Sequence, residues 1–188
     1  EIQPVVGPVE VGGELVETWG FRRFEGRVAA VTGAASGMGE AVVRRFVAEG
    51  AVVYALDLSR ERLDRIWGDV PEVTGIAVDV ADSASVNAAF ERIGAERGGL
   101  HSLVTAAGVS DSPTRMDPEG GHSSADLSTI DDDSWDFVIG VNLTGTFYCI
   151  RAAMPLIQAT GAGGAIVTIS SVGAFAPYPL PAAYPASK

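Results

Sequence analysis

A glycine-rich segment, Thr32-Gly33-Ala34-Ala35-Ser36-Gly37-Met38-Gly39, separates a short apolar run from an amphipathic stretch, and this placement limits the possible folds sharply. The run before it, residues 27–32 (RVAAVT), has the pattern of a strand buried on both faces. The stretch after it carries Met38, Ala41, Val42 and Phe46 at helical spacing, with Glu40, Arg44, Arg45 and Glu49 opposite and Gly50 as a stop. A strand, a tight glycine turn and a helix in that order let backbone N–H groups approach a pyrophosphate at a helix N-terminus. The competing reading is an ordinary glycine-rich βα turn. The strand and helix on either side favour the nucleotide site.

The alternation continues along the chain. Residues 51–56 (AVVYAL) form a second predicted strand ending at Asp57, and residues 73–78 a third ending at Asp79. Asp82 or Ser83 caps a helix whose Val86, Ala89, Phe90 and Ile93 make one apolar stripe. Residues 103–106 form a fourth strand, residues 109–130 a long polar loop, and residues 165–170 a fifth strand. Asp131, Asp132 and Asp133 suit a helix N-terminus electrostatically. The helix that follows, from Ser134 to about Ala159, is apolar on most sides, with Pro155 expected to kink it near its end. Strands alternating with helices predict an α/β domain with a parallel sheet over residues 25–188. Residues 1–24, with Pro4, Gly7, Pro8, Gly12 and Gly13, read as an extended or loosely attached leader.

Composition narrows the function. A chain of 188 residues, 47% apolar with mean hydropathy +0.23, has enough material for one domain with a sizeable core. A net charge of −11 and the lack of any basic run argue against a nucleic-acid surface and give no reason to expect an anionic membrane partner. No apolar run approaches the roughly 20 residues of a membrane span, and no signal-peptide pattern is visible. The single Cys149 sits in an apolar run and reads as a core residue rather than a catalytic thiol. A cytoplasmic setting is expected, and no metal site is.

Chemistry-bearing residues fall at the ends of these elements. Asp57, roughly 20 residues past the glycine turn, can accept hydrogen bonds from ribose hydroxyls and repel a 2′-phosphate; a solvated strand-end Asp is the alternative. Asp79 can accept from an adenine amino group or act as a turn residue. Nearby Arg60 is expected to face solvent. Tyr184 and Lys188 sit one helical turn apart on one face. An ammonium there favours the phenolate and makes the tyrosine a usable proton donor or acceptor. Ser171 offers a hydroxyl that can polarise a carbonyl oxygen beside that phenol. Asn142 lies mid-helix, either as a functional amide or as a buried structural one.

Taken together, TGAASGMG, Asp57, Asp79, Asn142, the Ser170-Ser171 strand end and Tyr184-Pro185-Ala186-Ser187-Lys188 resemble the short-chain dehydrogenase/reductase family, from about Gly26 to Lys188. The resemblance implies a Rossmann-type doubly wound parallel sheet with helices on both faces. It implies Tyr184 as general acid/base, Lys188 as its partner and a ribose ligand, Ser171 orienting the substrate, and Asn142 holding a water that links Lys188 to solvent. It implies an NAD site built from Gly33, Ser36, Gly37, Met38, Gly39, Asp57, Leu58, Asp79, Val80, Ala107, Gly108, Tyr184 and Lys188. The reaction implied is interconversion of a secondary alcohol and a ketone, in a homodimer or homotetramer. A non-catalytic nucleotide-binding module, or an inactive piece of such an enzyme, is the other class.

Two departures from the family pattern stand out. Thr105-Ala106-Ala107-Gly108 replaces the common Asn-Asn-Ala-Gly after strand four, which puts hydrogen bonding there in doubt. The chain also stops at Lys188, where the family usually continues through two more strands and a substrate-covering segment. Those strands are expected to be missing here because the sequence is a fragment, with a reading frame running roughly 60–90 residues further.

Overall fold

The computed structural model describes residues 7–16, 22–111, 113, 127–176 and 181–188. Residues 1–6 and 17–21 of the expected leader, and most of the expected 109–130 loop, lie outside the described residues.

The described part opens with a hairpin, β1 (Val9–Val11) and β2 (Glu14–Val16), which turns at Gly12 and Gly13. After it come β3 (Val28–Thr32), α1 (Gly37–Ala48), β4 (Val52–Asp57), α2 (Arg60–Trp67), β5 (Val73–Ala77), α3 (Ser83–Arg97) and β6 (Ser102–Thr105). The chain then forms α4 (Asp132–Ile139), a π-helical turn (Gly140–Thr144), α5 (Gly145–Ala159), β7 (Ala165–Thr168) and α6 (Ala183–Ser187). The last five strands make one parallel sheet in the order β5-β4-β3-β6-β7, with helices on both faces. This is the α/β architecture expected from the alternation, and strand borders fall within one or two residues of those expected.

Strand register explains the layering. Val31 lies opposite Ala55 and Val104, and Ala30 lies opposite Tyr54 and Leu103. The first set packs with Val43 and Ala48 of α1 and Leu63 and Trp67 of α2. The second packs with Val86, Phe90 and Ile93 of α3 and Cys149 and Ala153 of α5. Alternate residues therefore face opposite helix layers, so a strand buried on both sides reads as a continuous apolar run. Burying each of Leu56, Leu103, Phe90 and Ile93 is worth about 1.5–3 kcal/mol, more than a typical hydrogen bond contributes net.

Four features differ from the sequence-based expectation. Residues 9–16 are no loose leader, because the hairpin buries Val11 in the core and receives hydrogen bonds from Arg44. On α1, Val42 and Phe46 pack against the core as expected, but Met38 and Ala41 are exposed and Gly39, Val43, Arg44 and Ala48 are its buried residues. Helix α2 was not anticipated, since RERLDRIW carries too few apolar positions to show a period. Its N-terminus is capped by Ser59 Oγ, which accepts from Arg62 N–H at 3.3 Å. The long helix starts at Asp132, with Asp131 accepting from Ser134 N–H at 2.7 Å, and its irregularity lies at the π turn while α5 runs through Pro155 to Ala159. This 28-residue stretch has a window of mean hydropathy 1.3, so by length and composition it matches a membrane span, against the expectation that none does. Its apolarity is spent in part on the sheet layer, through Val138, Cys149 and Ala153.

An ion cluster joins the entry of β3 to the end of α1. The Glu49 side chain is 1% exposed and binds both Arg23 and Arg45. The Arg23 hydrogen bond, aided by Arg45, holds the Glu49 carboxyl below its ordinary value despite burial. A depressed carboxyl contributes stability that is present above its unfolded pKa, about 4.3, and lost as pH falls through the folded value. Glu49→Gln should cost about 1–3 kcal/mol at pH 7, and its melting temperature should fall less than that of the unsubstituted protein between pH 5 and pH 3. Thermal denaturation followed by circular dichroism checks both; parallel pH curves would show that Glu49 carries no such linkage.

Candidate active site

Strand order reverses between β3 and β6, so the helices that follow them lie on opposite faces and leave a crevice at the strand ends, the usual ligand position in an open parallel sheet. A cleft of about 470 Å³ opens there. The turn after β3 contributes Gly33, Ser36, Gly37, Met38 and Gly39; β4 ends at it with Asp57 and Leu58. Asp79 and Val80 follow β5, and Ala107 and Gly108 follow β6. The eleven positions expected from the glycine turn and the strand ends thus share one cleft. Arg62, Phe137 and Val141 also line it and were missed. They come from helices whose facing depends on the packing of the whole layer, so no local pattern marked them.

The turn is built on close backbone approach. Gly33 has φ +65°, and a Cβ there would lie 2.8 Å from the backbone N and Cα of Ala107. A Cβ on Gly39 would lie 2.1 Å from the Gly33 carbonyl oxygen. Thr32 Oγ1 accepts from Ala107 N–H at 3.1 Å, tying the two strand ends across the floor of the cleft. Asp57 Oδ2 accepts from Ala35 N–H at 3.0 Å and Oδ1 from Ser59 N–H at 3.1 Å. Asp79 Oδ1 accepts from Ala81 N–H at 2.9 Å, the turn role considered for it, while its own N–H donates to Ser85 Oγ at 3.1 Å. Arg60 is exposed, as expected, and pairs with Asp64 while donating to Gly75 O at 3.0 Å.

The expected catalytic residues gather at the β6 side in two groups. Asn142, in the π turn, is 4% exposed, and its amide is heavily used. Its Oδ1 accepts from Val109 N–H at 2.8 Å, and its Nδ2 donates to Val109 O and to Ser187 Oγ, both at 2.9 Å. Lys188 Nζ donates to Ile169 O at 3.3 Å and lies 5.6 Å from the centre of the Tyr184 ring. The Cβ position of Gly108 is 3.2 Å from Asn142 Oδ1 and 3.3 Å from Lys188 Nζ, so a side chain there would press on both groups. Ser171 belongs to the second group: its Oγ accepts from Gly173 N–H at 3.1 Å. Its neighbour Ser170 makes the link to the C-terminal residue, donating to Lys188 O at 3.1 Å. Among the described residues, the lining of the large cleft does not include Ser171, Tyr184 or Lys188. Ser187, which bridges Asn142 to the Tyr–Lys helix, was missed, though it stands inside the motif. Cys149 is buried as expected, and burial pushes its thiol up to about 12, which suits a core residue.

The model of the short chain dehydrogenase family matches residues 27–188. The chain belongs to this family. It is 39% identical over 170 residues to D-threitol dehydrogenase of Mycolicibacterium smegmatis, covering 88% of this chain and 60% of that protein. It is 35% identical over 170 residues to 3beta-hydroxysteroid dehydrogenase of Mediterraneibacter gnavus, covering 88% and 57%. With 2-dehydro-3-deoxy-L-rhamnonate dehydrogenase (NAD(+)) of a Sphingomonas species it shares 34% identity over 166 residues, covering 88% and 62%. The crystal structure of gox2181 superposes with a TM-score of 0.75 at 28% identity, covering 89% of this chain and 63% of that one. The chain thus spans about three fifths of the length of these relatives.

Thr105 stands where the family pattern described above has Asn. Its Oγ1 is buried and has no hydrogen-bond partner, the only such side-chain atom among the described residues. The doubt raised by Thr105-Ala106 in place of Asn-Asn is therefore realised as one unmet hydroxyl, while the strand pairing of Thr105 with Thr32 and Thr168 is intact. A buried hydroxyl without a partner costs about 1–3 kcal/mol, and replacing it with a methyl of like shape removes that cost. Thr105→Val should therefore raise the melting temperature, by about 2–4 °C for each kcal/mol recovered. Differential scanning calorimetry checks this, and a lower melting temperature would show that the hydroxyl has a partner in solution.

Proposed function

We propose that this chain carries the cofactor half of an NAD-dependent oxidoreductase that interconverts a secondary alcohol and a ketone. The observation that carries the reading is the cluster beside Gly108, where Asn142 Oδ1 and Lys188 Nζ both approach the glycine, Asn142 also bonds Ser187, and Lys188 lies near the Tyr184 ring. It joins the Tyr–Lys helix to the end of β6, beside the crevice where the glycine turn opens.

The residues of the cleft fit a dinucleotide. Gly37, at φ +53° with open space at its Cβ position, leaves the N-terminus of α1 accessible to a pyrophosphate. Each Asp57 oxygen accepts one backbone N–H and keeps a lone pair for a ribose hydroxyl. The same carboxylate opposes a 2′-phosphate, which favours NAD over NADP. The relative from Sphingomonas is named for NAD(+), in keeping with that choice. When bound, the nicotinamide supplies or accepts the hydride. Tyr184 gives its hydroxyl proton to the carbonyl oxygen in reduction and takes the alcohol proton in oxidation. Lys188 holds positive charge beside it, and Ser171 orients the substrate oxygen. Asn142 positions the Val109 backbone and the Ser187 hydroxyl; its Oδ1 already accepts from Val109 N–H and its backbone oxygen from Thr146 Oγ1, so the water contact implied by the family would use a second lone pair.

A small-molecule alcohol or ketone, a cytoplasmic setting, no nucleic-acid partner and no membrane partner complete the reading. The relatives act on substrates as different as a sugar alcohol and a steroid by their names, and fold does not choose among them. Trp135, Leu143 and Phe147 leave part of the long helix apolar and exposed, which supports a homodimer or homotetramer of the full-length protein. Light scattering reads the assembly state, and a monodisperse monomer would end that part. A non-catalytic nucleotide-binding module is the second reading, favoured by the separation of the described cleft lining from Tyr184 and Ser171.

Two variants of the full-length protein test the assignment. Tyr184→Phe should lower turnover by at least about 100-fold, the usual worth of general acid/base catalysis, and leave NADH affinity within twofold. Turnover above a tenth of normal would remove Tyr184 from that role, and NADH binding without any turnover of alcohols or ketones by the unsubstituted protein would favour the binding module. Asp57→Ala should narrow the preference for NAD over NADP by about tenfold, or about 1.4 kcal/mol. Equal affinity of the unsubstituted protein for both cofactors would sink the NAD assignment.

A further inference from the structure

The N-terminal hairpin precedes the segment matched by the family model, yet two side chains connect it to the turn that borders the cofactor cleft. Arg44 of α1 has a side chain only 8% exposed. Its Nη1 donates to Val11 O at 2.5 Å and to Gly12 O at 3.1 Å, both on the hairpin. Its Nη2 donates to Glu40 Oε1 at 2.6 Å, and its Nε lies 3.2 Å from Glu14 Oε2. The guanidinium stands over the Trp67 ring, 5.0 Å from its centroid. Trp67 is buried at the end of α2, and its Nε1 donates to Ala34 O at 3.0 Å.

Ala34 follows Gly33 in the glycine turn. Its N–H donates to Leu56 O at 3.1 Å, and the next N–H, of Ala35, donates to Asp57 Oδ2. The turn is thus held on one side by β4 and on the other by the indole of Trp67. A separate groove between β2 and α1, lined by Glu14, Leu15, Val16 and Glu40, shares Gly37 with the cofactor cleft.

We propose that Trp67 and Arg44 are positioning residues for the dinucleotide's pyrophosphate, and that the hairpin holds them in place. The proposal rests on reading the cleft as a nicotinamide dinucleotide site. Backbone N–H groups bind a phosphate well only when their directions are set before it arrives. The indole N–H fixes the one carbonyl that a rotation of the Ala34 peptide would swing, and Arg44 fixes the indole by stacking over it. A guanidinium this buried needs acceptors for its donors. The hairpin carbonyls of Val11 and Gly12 supply two, so the hairpin governs cofactor affinity without touching the cofactor.

Three substitutions in the protein test this. Trp67→Phe removes the N–H and keeps a ring beneath Arg44. Gly12→Ala puts a Cβ 2.8 Å from Arg44 Nη1, at a φ of +55°, on the hairpin. Glu14→Gln removes the hairpin's charge at an exposed carboxylate. NADH affinity is measured by fluorescence titration at a temperature where circular dichroism shows each variant fully folded, together with amide hydrogen exchange over residues 33–39. Trp67→Phe and Gly12→Ala should raise the Kd about three- to tenfold, with Glu14→Gln smaller in the same direction. Exchange at Ala34 and Ala35 should quicken while α3 amides stay unchanged. A Kd within twofold of normal in every variant that folds, even with a lower melting temperature, overturns the proposal and leaves these residues as structural only. Failure of the unsubstituted protein to bind NADH or NADPH overturns the cofactor-site reading, and this proposal with it.

Discussion

At the meeting of β3, α1 and β6 the backbone comes too close for any side chain. A Cβ on Gly39 would fall 2.1 Å from the Gly33 carbonyl oxygen, and one on Gly33 would fall 2.8 Å from the backbone of Ala107. That approach seats the first turn of α1 directly on the end of the central strand. It also brings the end of β6 alongside, where Thr32 Oγ1 accepts from Ala107 N–H. The cleft, the accessible helix N-terminus and the position of Asp57 all depend on this contact. A methyl group at either glycine would push apart the elements that frame the site.

A second device acts at the far side of the crevice. The long helix from Asp132 to Ala159 widens into a π turn at Gly140–Thr144, and Asn142 sits inside it. There the amide bonds the Val109 backbone at both its N–H and its C=O, and Ser187 as well. One buried polar group thereby joins three segments far apart in sequence. A buried amide is costly unless its bonds are met, so this arrangement favours a single register between the helix, the β6 extension and the Tyr–Lys segment. Thr105 shows the contrast, a buried hydroxyl nearby with no partner.

Much of this was legible in the chain. Parallel strands buried on both faces appear as apolar runs because each side chain finds a helix layer, and all five runs are strands. Asp57 and Asp79 mark strand ends because a carboxylate is expensive inside the sheet and useful just outside it. Of the four apolar positions on α1, Val42 and Phe46 face the core and Met38 and Ala41 do not. Arg44 and Glu49 look like solvated charges in sequence, and they are buried because the hairpin and the 22–27 segment bring acceptors and donors to them. Helix α2 escaped notice because only Leu63 and Trp67 of its eight residues are buried, too sparse for a period.

The sequence by itself determined the alternation of strands and helices, the glycine turn, the strand-end carboxylates and the Tyr–Lys spacing. Each of these is a local matter, set by periodicity, by backbone freedom at glycine, or by the pitch of one helix. Tertiary structure alone decided that Asn142 meets Ser187, that Gly108 makes room for Lys188, and that Trp67 reaches the carbonyl of Ala34. These contacts join residues dozens of positions apart, and their partners are chosen by which helix layer covers which face of the sheet. No pattern within one element carries that choice, because it follows from the strand order and from the close approach that only glycine permits.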